Sequence, residues 1–156
     1  MGGEVELERM LGALLRIPFQ AITERIAADL AAAGFTDLRP AYLAVFQHLE
    51  AQGSRLTDLA YRAQVTKQSM GALVDSLERW GYVERVPDAR DGRARIVRRT
   101  ERGWAVERAA RASIRALEDE WTQQVGAERM RQCRAVLEEI VATREEASPA
   151  PPRHLR

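Results

Sequence analysis

The chain of 156 residues is the length of one ordinary domain, and at 46% hydrophobic and 30% charged it can bury a core without help from disulfides or metal. A single cysteine, Cys133, and two histidines, His48 and His154, exclude a disulfide framework and a structural zinc site within one chain. The net charge is only +1, but residues 54–100 hold ten basic and six acidic side chains, leaving the rest of the chain at −3. A basic middle between acidic flanks is the footprint of a surface that meets a polyanion on one face. The start, Met1-Gly2-Gly3-Glu4-Val5-Glu6, is acidic where a targeting peptide is basic. No apolar run approaches the roughly 18 residues of a membrane span, so a cytoplasmic protein with no membrane partner is expected.

In chain order, Leu7, Leu11, Leu14, Leu15, Phe19, Ile22, Ile26 and Leu30 recur at helical spacing up to Gly34, a residue suited to a left-handed helix stop. Pro18 predicts a kink or break near Ile17, because proline removes a backbone donor and crowds the preceding turn. A second helix starts at Arg39-Pro40, carries Leu43, Val45, Phe46 and Leu49, and stops at Gln52-Gly53. Leu56 to Arg62 is a short helix. Thr66 then caps another, whose apolar side is Met70, Leu73, Val74 and Leu77. Two helices joined this tightly form a helix-turn-helix pattern.

After Trp80-Gly81, Tyr82–Val86 and Ala94–Arg99 read as the strands of a β-hairpin whose tip holds proline, aspartates and glycine. From Glu101 a long helix shows Val106, Ala110, Ile114, Leu117, Trp121 and Val125 up to Gly126, and a last one shows Met130, Cys133, Leu137 and Ile140. Apolar stripes on peripheral, highly charged helices exceed what so small a domain can cover, which predicts a homodimer. The expected fold class is mainly α (α+β): a winged helix-turn-helix with long N- and C-terminal helices forming a dimerisation region. The expected division is residues 1–35 for N-terminal dimerisation, 36–100 for DNA binding, 101–146 for the C-terminal dimerisation helices and 147–156 for a disordered, proline-bearing tail.

The ordered motifs Leu56-Thr57-Asp58-Leu59-Ala60, Val65-Thr66-Lys67-Gln68-Ser69, Leu73-Val74-Asp75-Ser76-Leu77-Glu78, Gly81-Tyr82-Val83-Glu84-Arg85, Asp88-Ala89-Arg90-Asp91-Gly92-Arg93 and Thr100-Glu101-Arg102-Gly103 resemble the MarR family of winged helix-turn-helix transcription regulators. The likeness runs by motif from about Leu38 to Gly103. It implies a homodimeric, sequence-specific regulator, a repressor released by a small aromatic or acidic effector, on a pseudo-palindromic double-stranded operator. No cofactor, metal or enzymatic activity is implied.

A recognition helix in the major groove shows its first turns to base edges, here Thr66, Lys67, Gln68 and Ser69, with Ala72 able to touch a thymine methyl. Gln68 suits adenine, Lys67 guanine or phosphate. Gly71-Ala72 departs from the family pattern of a hydroxyl followed by a large basic residue, leaving deeper seating, DNA shape or close packing as reasons for the glycine. At the wing, Arg90 and Arg93 suit a narrow minor groove. The resemblance makes Arg93 the inserted residue, with Asp88 or Asp91 bracing the hairpin through an ion pair. Arg95, Arg98 and Arg85 read as phosphate contacts, and Arg99 stands where the family often has an apolar residue, so its orientation is open.

Other residues carry weaker expectations. Cys133 falls on an apolar stripe and reads as a packed, inert thiol, since peroxide-sensing relatives hold their cysteine near the N-terminus. His48 has no ligand partner nearby and reads as packed or surface. Arg16, Phe19, Phe46 and Trp104 are candidates for an effector cleft, although aromatics at helical spacing are more often core. Two other classes stay open: a winged-helix module that docks on an acidic protein, and an architectural DNA binder without sequence preference.

Overall fold

The computed structural model of the chain describes residues 10–89 and 91–147. Six helices and three strands follow in the order α1 (Leu11–Ala32), α2 (Pro40–His48), β1 (Ser54–Arg55), α3 (Leu56–Arg62), α4 (Lys67–Arg79), β2 (Val83–Asp88), β3 (Asp91–Arg99), α5 (Glu101–Val125) and α6 (Ala127–Ala147). The fold is mostly helical with one small antiparallel sheet, as expected. Leu7, at the predicted start of the first helix, lies outside the described residues.

Local chemistry sets most boundaries. Pro40 occupies the first turn of α2, where its missing N–H would have no helical partner. Thr66 caps α4, its hydroxyl accepting from the Ser69 N–H at 3.0 Å, and Thr100 caps α5 by accepting from Gly103. Three helices end in the same paired-bond stop. After α1, Gly34 at φ 92° lets its own N–H reach Ala31 and that of Phe35 reach Leu30; after α4, Gly81 at φ 75° does the same for Glu78 and Leu77. After α3 the left-handed residue is Gln64, at φ 55°, a stop that composition does not signal.

Some expectations need correction. Of the two outcomes expected at Pro18, a break is not found: helix α1 continues through it, forgoing the one bond that an N–H at this position would have made. Helix α2 ends at His48 rather than near Gly53, because Leu49 turns extended. The chain then forms β1, a two-residue strand too short for periodicity to reveal, pairing Ser54 with Val97 and Arg55 with Ile96. The sheet order is β1-β3-β2, with β2 and β3 antiparallel from Val83–Arg99 to Asp88–Asp91 and an irregularity at Pro87/Asp88. Ala147, placed in the tail by sequence, closes α6.

The core is one cluster. Leu59, Met70, Val74 and Leu77 of the helix-turn-helix meet Val83 and Val97 of the sheet, Val45 of α2, Leu30 of α1 and Val106 of α5. Helix α1 is divided along its length. Its C-terminal half buries Ile26 and Leu30 in the chain's own core, whereas Leu11, Leu14, Leu15 and Phe19 on its N-terminal half are exposed. Where α1 crosses α5, the buried Ser113 hydroxyl donates to Asp29 at 2.6 Å and Arg25 pairs with Glu120 at 3.0 Å. The Ser113 bond, aided by Arg25, holds the Asp29 carboxyl below the usual carboxylate range against the opposing effect of desolvation.

Gly71 sits inside α4, where a methyl group would meet only Leu56 Cδ2 at 3.8 Å. Close packing therefore does not account for this glycine. Gly71→Ala is expected to raise stability by about 1 kcal/mol through helix propensity, read as a higher urea midpoint at unchanged slope. A lower midpoint would mean that the neighbouring turn is tighter than this geometry.

Candidate nucleic-acid interface

Helix α4 divides its residues by face. Met70, Val74 and Leu77 are fully buried, and Thr66, Lys67, Gln68, Ser69 and Ala72 are all exposed. The Thr66 hydroxyl donates to Ser69 Oγ at 2.9 Å, so the two hydroxyls form one polar edge on the first turn. Among the described residues nothing pairs with the side chains of Lys67 or Gln68. This turn has the amphoteric donors and acceptors that base edges and phosphates require.

Acidic residues on the same helix are drawn away from that edge. Arg85 of β2 donates to Asp75 at 2.6 Å and to Glu78 through both its guanidinium and its backbone N–H. Burial opposes the charge on Arg85, but these bonds outweigh it and raise the guanidinium above its ordinary value. Arg85 thus fastens the helix to the wing strand. Arg98, also read as a phosphate contact, is exposed and engages Glu84 at 2.7 Å across the ladder. Arg95 is exposed and donates to the Arg85 carbonyl at 3.1 Å.

At the wing, Arg93 is exposed, and among the described residues nothing accepts from its guanidinium; Arg90 lies outside the described residues. The aspartates expected to brace the hairpin do form ion pairs, with a residue that sequence reasoning passed over. Arg55 of β1 reaches Asp88 Oδ2 with Nε at 3.0 Å and a terminal nitrogen at 2.8 Å, and Asp91 Oδ2 at 3.5 Å. The Asp88 bond leads the interactions that raise Arg55 above its ordinary value. Asp91 Oδ1 also accepts from the Arg93 backbone N–H at 3.2 Å.

Arg99 turns inward. Its side chain is 4% exposed, pairs with Glu107 at 3.0 Å, donates to the carbonyls of Phe46 and Leu49 at 2.8 Å each, and stacks over Trp104. Beside it lies a cavity of about 330 Å³ between α1, α2, β3 and α5, with Phe46, Arg99, Glu107, Arg111 and Ile114 in its wall. Of the four effector-cleft candidates only Phe46 lines it. Trp104 packs on Arg99, while Phe19 lines a separate groove of about 840 Å³ between α1 and α6, and Arg16 is exposed and bonded to Gln20. Cys133 also lines that groove and is exposed in the single chain, not packed, because α6 contributes nothing to the core. His48 is half-buried, and desolvation, then the Arg62 charge, lowers its pKa. Among the described residues there is no cluster of His, Cys, Asp and Glu fit for a metal, and no helix is long and apolar enough to cross a membrane.

Three helices, a two-stranded wing and a short third strand on the wing's far edge define a winged helix-turn-helix protein. Residues 36–94 match the model of the MarR family. The chain is 41% identical over 69 residues to the transcriptional activatory protein BadR of Rhodopseudomonas palustris, a match covering 42% of this chain and 38% of that protein's length. In fold it is similar to CouR from Rhodococcus jostii RHA1 bound to p-coumaroyl-CoA, with a TM-score of 0.64 at 24% identity over 83% of this chain and 90% of that one. It is also similar to apo MarR from E. coli, with a TM-score of 0.67 at 20% identity over 85% and 97%. The likeness in sequence to the MarR family thus covers the winged helix-turn-helix segment, residues 36–94, and the chain spans about two fifths of the length of the curated relative it matches, while the solved MarR-family structures share its fold.

Proposed function

We propose that the protein is a homodimeric, sequence-specific DNA-binding regulator, a repressor released by a small aromatic or acidic effector. The observation that carries this reading is the exposed first turn of α4. Lys67 and Gln68 stand free among the described residues while Asp75 and Glu78 of the same helix are neutralised by Arg85. Negative charge near a phosphate backbone would oppose binding, and here it is already paired. Thr66, Lys67, Gln68, Ser69 and Ala72 read the major groove in this proposal, Arg93 and Arg90 serve the minor groove, and Arg95 contacts phosphate. Residues 36–100 form the DNA-binding unit.

Dimerisation is supported by apolar side chains left uncovered on two helices. Leu11, Leu14 and Phe19 of α1 and Val136, Ile140 and Val141 of α6 are each about half exposed or more. All of these but Val141 line the groove of about 840 Å³, and a second copy covering it would bury the face that one chain leaves in water. Residues 1–35 and 101–146 supply this interface, with Ile26 and Leu30 excepted because they serve the chain's own core. The cavity beside Arg99 supports an effector of the proposed class, with an aromatic wall at Phe46 and a cation in reach. CouR, similar in fold, is bound to p-coumaroyl-CoA.

The test is anisotropy binding to DNA from upstream of the protein's own gene and to a scrambled duplex, in a salt series from about 0.15 M, with light scattering to give the dimer mass. A preference of about 10³-fold is expected. Gln68→Ala should cost about 1–3 kcal/mol and relax one position per half-site, and Arg93→Ala should weaken binding with little change in base preference. Absence of binding at low salt would sink the DNA reading and favour docking on a protein; equal affinity for both duplexes would favour an architectural role. Deleting the gene raises transcription from a repressed promoter and lowers it if the protein acts as BadR is described.

A further inference from the structure

We propose that Arg55 is a positioning residue for DNA binding, a tie that fixes the wing tip to the body of the domain so that Arg93 is held ready for the groove. This rests on the reading of Arg93 above. A hairpin tip on two strands is the part of a winged domain with fewest packing partners, and its register here is disturbed at Pro87/Asp88. Ordering such a tip on DNA would cost conformational entropy with each binding event.

Arg55 removes much of that freedom in advance. It stands on β1, paired with Ile96 beside the root of the wing, and its backbone is the N-cap of α3, so its base is anchored in the core elements. Its guanidinium spans to Asp88 at the end of β2 and Asp91 at the start of β3, joining the two sides of the tip. Asp91 passes the restraint on by accepting from the Arg93 backbone N–H at 3.2 Å. Asp88 is only 12% exposed, which shields its pair from water and salt more than a surface ion pair. The same guanidinium also offsets two carboxylates that would otherwise face phosphate beside Arg93. With Nε and a terminal nitrogen committed to Asp88, Arg55 acts through the wing rather than on DNA.

The experiment compares the full chain with Arg55→Gln, Arg55→Lys and Asp91→Asn, each alone and with Arg93→Ala, by amide hydrogen exchange on the free protein and by anisotropy on the operator. Arg55→Gln is expected to speed exchange at residues 88–93 about tenfold while α4 keeps its protection. It is also expected to weaken operator binding about tenfold and to weaken it no further in the Arg93→Ala background. Arg55→Lys keeps the charge but not the fork and should restore only part of the affinity. Asp91→Asn reproduces the effect from the other side if Arg55→Gln folds poorly.

Unchanged exchange at the tip overturns the tie. An additive loss with Arg93→Ala, together with a salt slope lowered by about one, would make Arg55 a direct phosphate contact and overturn it as well. If exchange rises but Arg93→Ala is silent on DNA, the wing reading itself has failed and the Arg55 contact is structural only.

Discussion

Arg99→Ala is expected to cost about 3–5 kcal/mol of stability, the range for removing one partner of a buried charged network. The penalty follows from what the guanidinium leaves behind. Helix α2 ends at His48, and the carbonyls of its last turn have no helical partners. Arg99 supplies donors to Phe46 and Leu49 at 2.8 Å and to Glu50 at 3.3 Å, placing a cation at a helix C-terminus where the backbone dipole favours it. The same group neutralises Glu107, which is 16% exposed. Alanine would leave buried carbonyls without donors, a carboxylate with only the exposed Arg111 as partner, and Trp104 without its stacked cation.

Because β3, α2 and α5 all meet at this side chain, the loss should appear as a lower urea midpoint for the whole domain rather than as local fraying. Arg99→Lys should recover less than half, since an ammonium cannot reach acceptors on three sides. The Nε atom has no partner among the described residues, so the native arrangement already carries one unmade bond. A loss below about 1 kcal/mol for Arg99→Ala would mean that water replaces the guanidinium at little cost.

Gly103→Ala is expected to cost about 3 kcal/mol, the upper part of the range for overpacking. Gly103 lies in the first turn of α5, where the helix crosses the end of α4's connection to β2. The Thr100 N–H and hydroxyl both donate to the Tyr82 carbonyl at 3.1 Å, which draws that carbonyl against the helix. A Cβ on Gly103 would stand well inside contact distance of the Tyr82 carbonyl oxygen. The Cβ position is fixed by the backbone that carries it and the oxygen it meets is main-chain, so no rotamer change relieves the clash. Relief requires moving α5 off the winged unit, which would loosen the Thr100 cap and shift Arg99 next to it. The measurement is again the urea midpoint, with Gly71→Ala as the control of opposite sign. A neutral Gly103→Ala would show that α5 can slide without loss.

These two glycines show where sequence reading stops. Both are single glycines in helices, and by propensity alone each would gain about 1 kcal/mol on becoming alanine. Only the neighbour decides the sign: an open methyl-sized space beside Leu56 in one case, the Tyr82 carbonyl in the other. Arg55 and Arg85 are similar. In the sequence they are two of ten basic residues in the middle segment, and each would pass as a phosphate contact. The folded sheet places one against Asp88 and Asp91 and the other against Asp75 and Glu78. The candidate effector residues fare likewise, since Phe19 and Phe46 end at separate cavities despite both lying on amphipathic helices.

By itself the sequence determined the order and type of the helices and the hairpin. Helical periodicity, Pro40 at a first turn, Thr66 at a cap, and Gly34, Gly81 and Gly126 at stops are local signals that need no distant partner. It also determined the exposed face of α4, because burying Met70, Val74 and Leu77 forces Thr66 to Ser69 outward. Tertiary structure alone decided the strand β1, the unbroken passage of α1 through Pro18, the division of α1 into a buried and an exposed half, and the fate of each arginine. An arginine's long stem reaches acceptors in any direction, and which acceptor it meets depends on elements separated by tens of residues, such as Arg99 with Phe46 or Arg55 with Asp88.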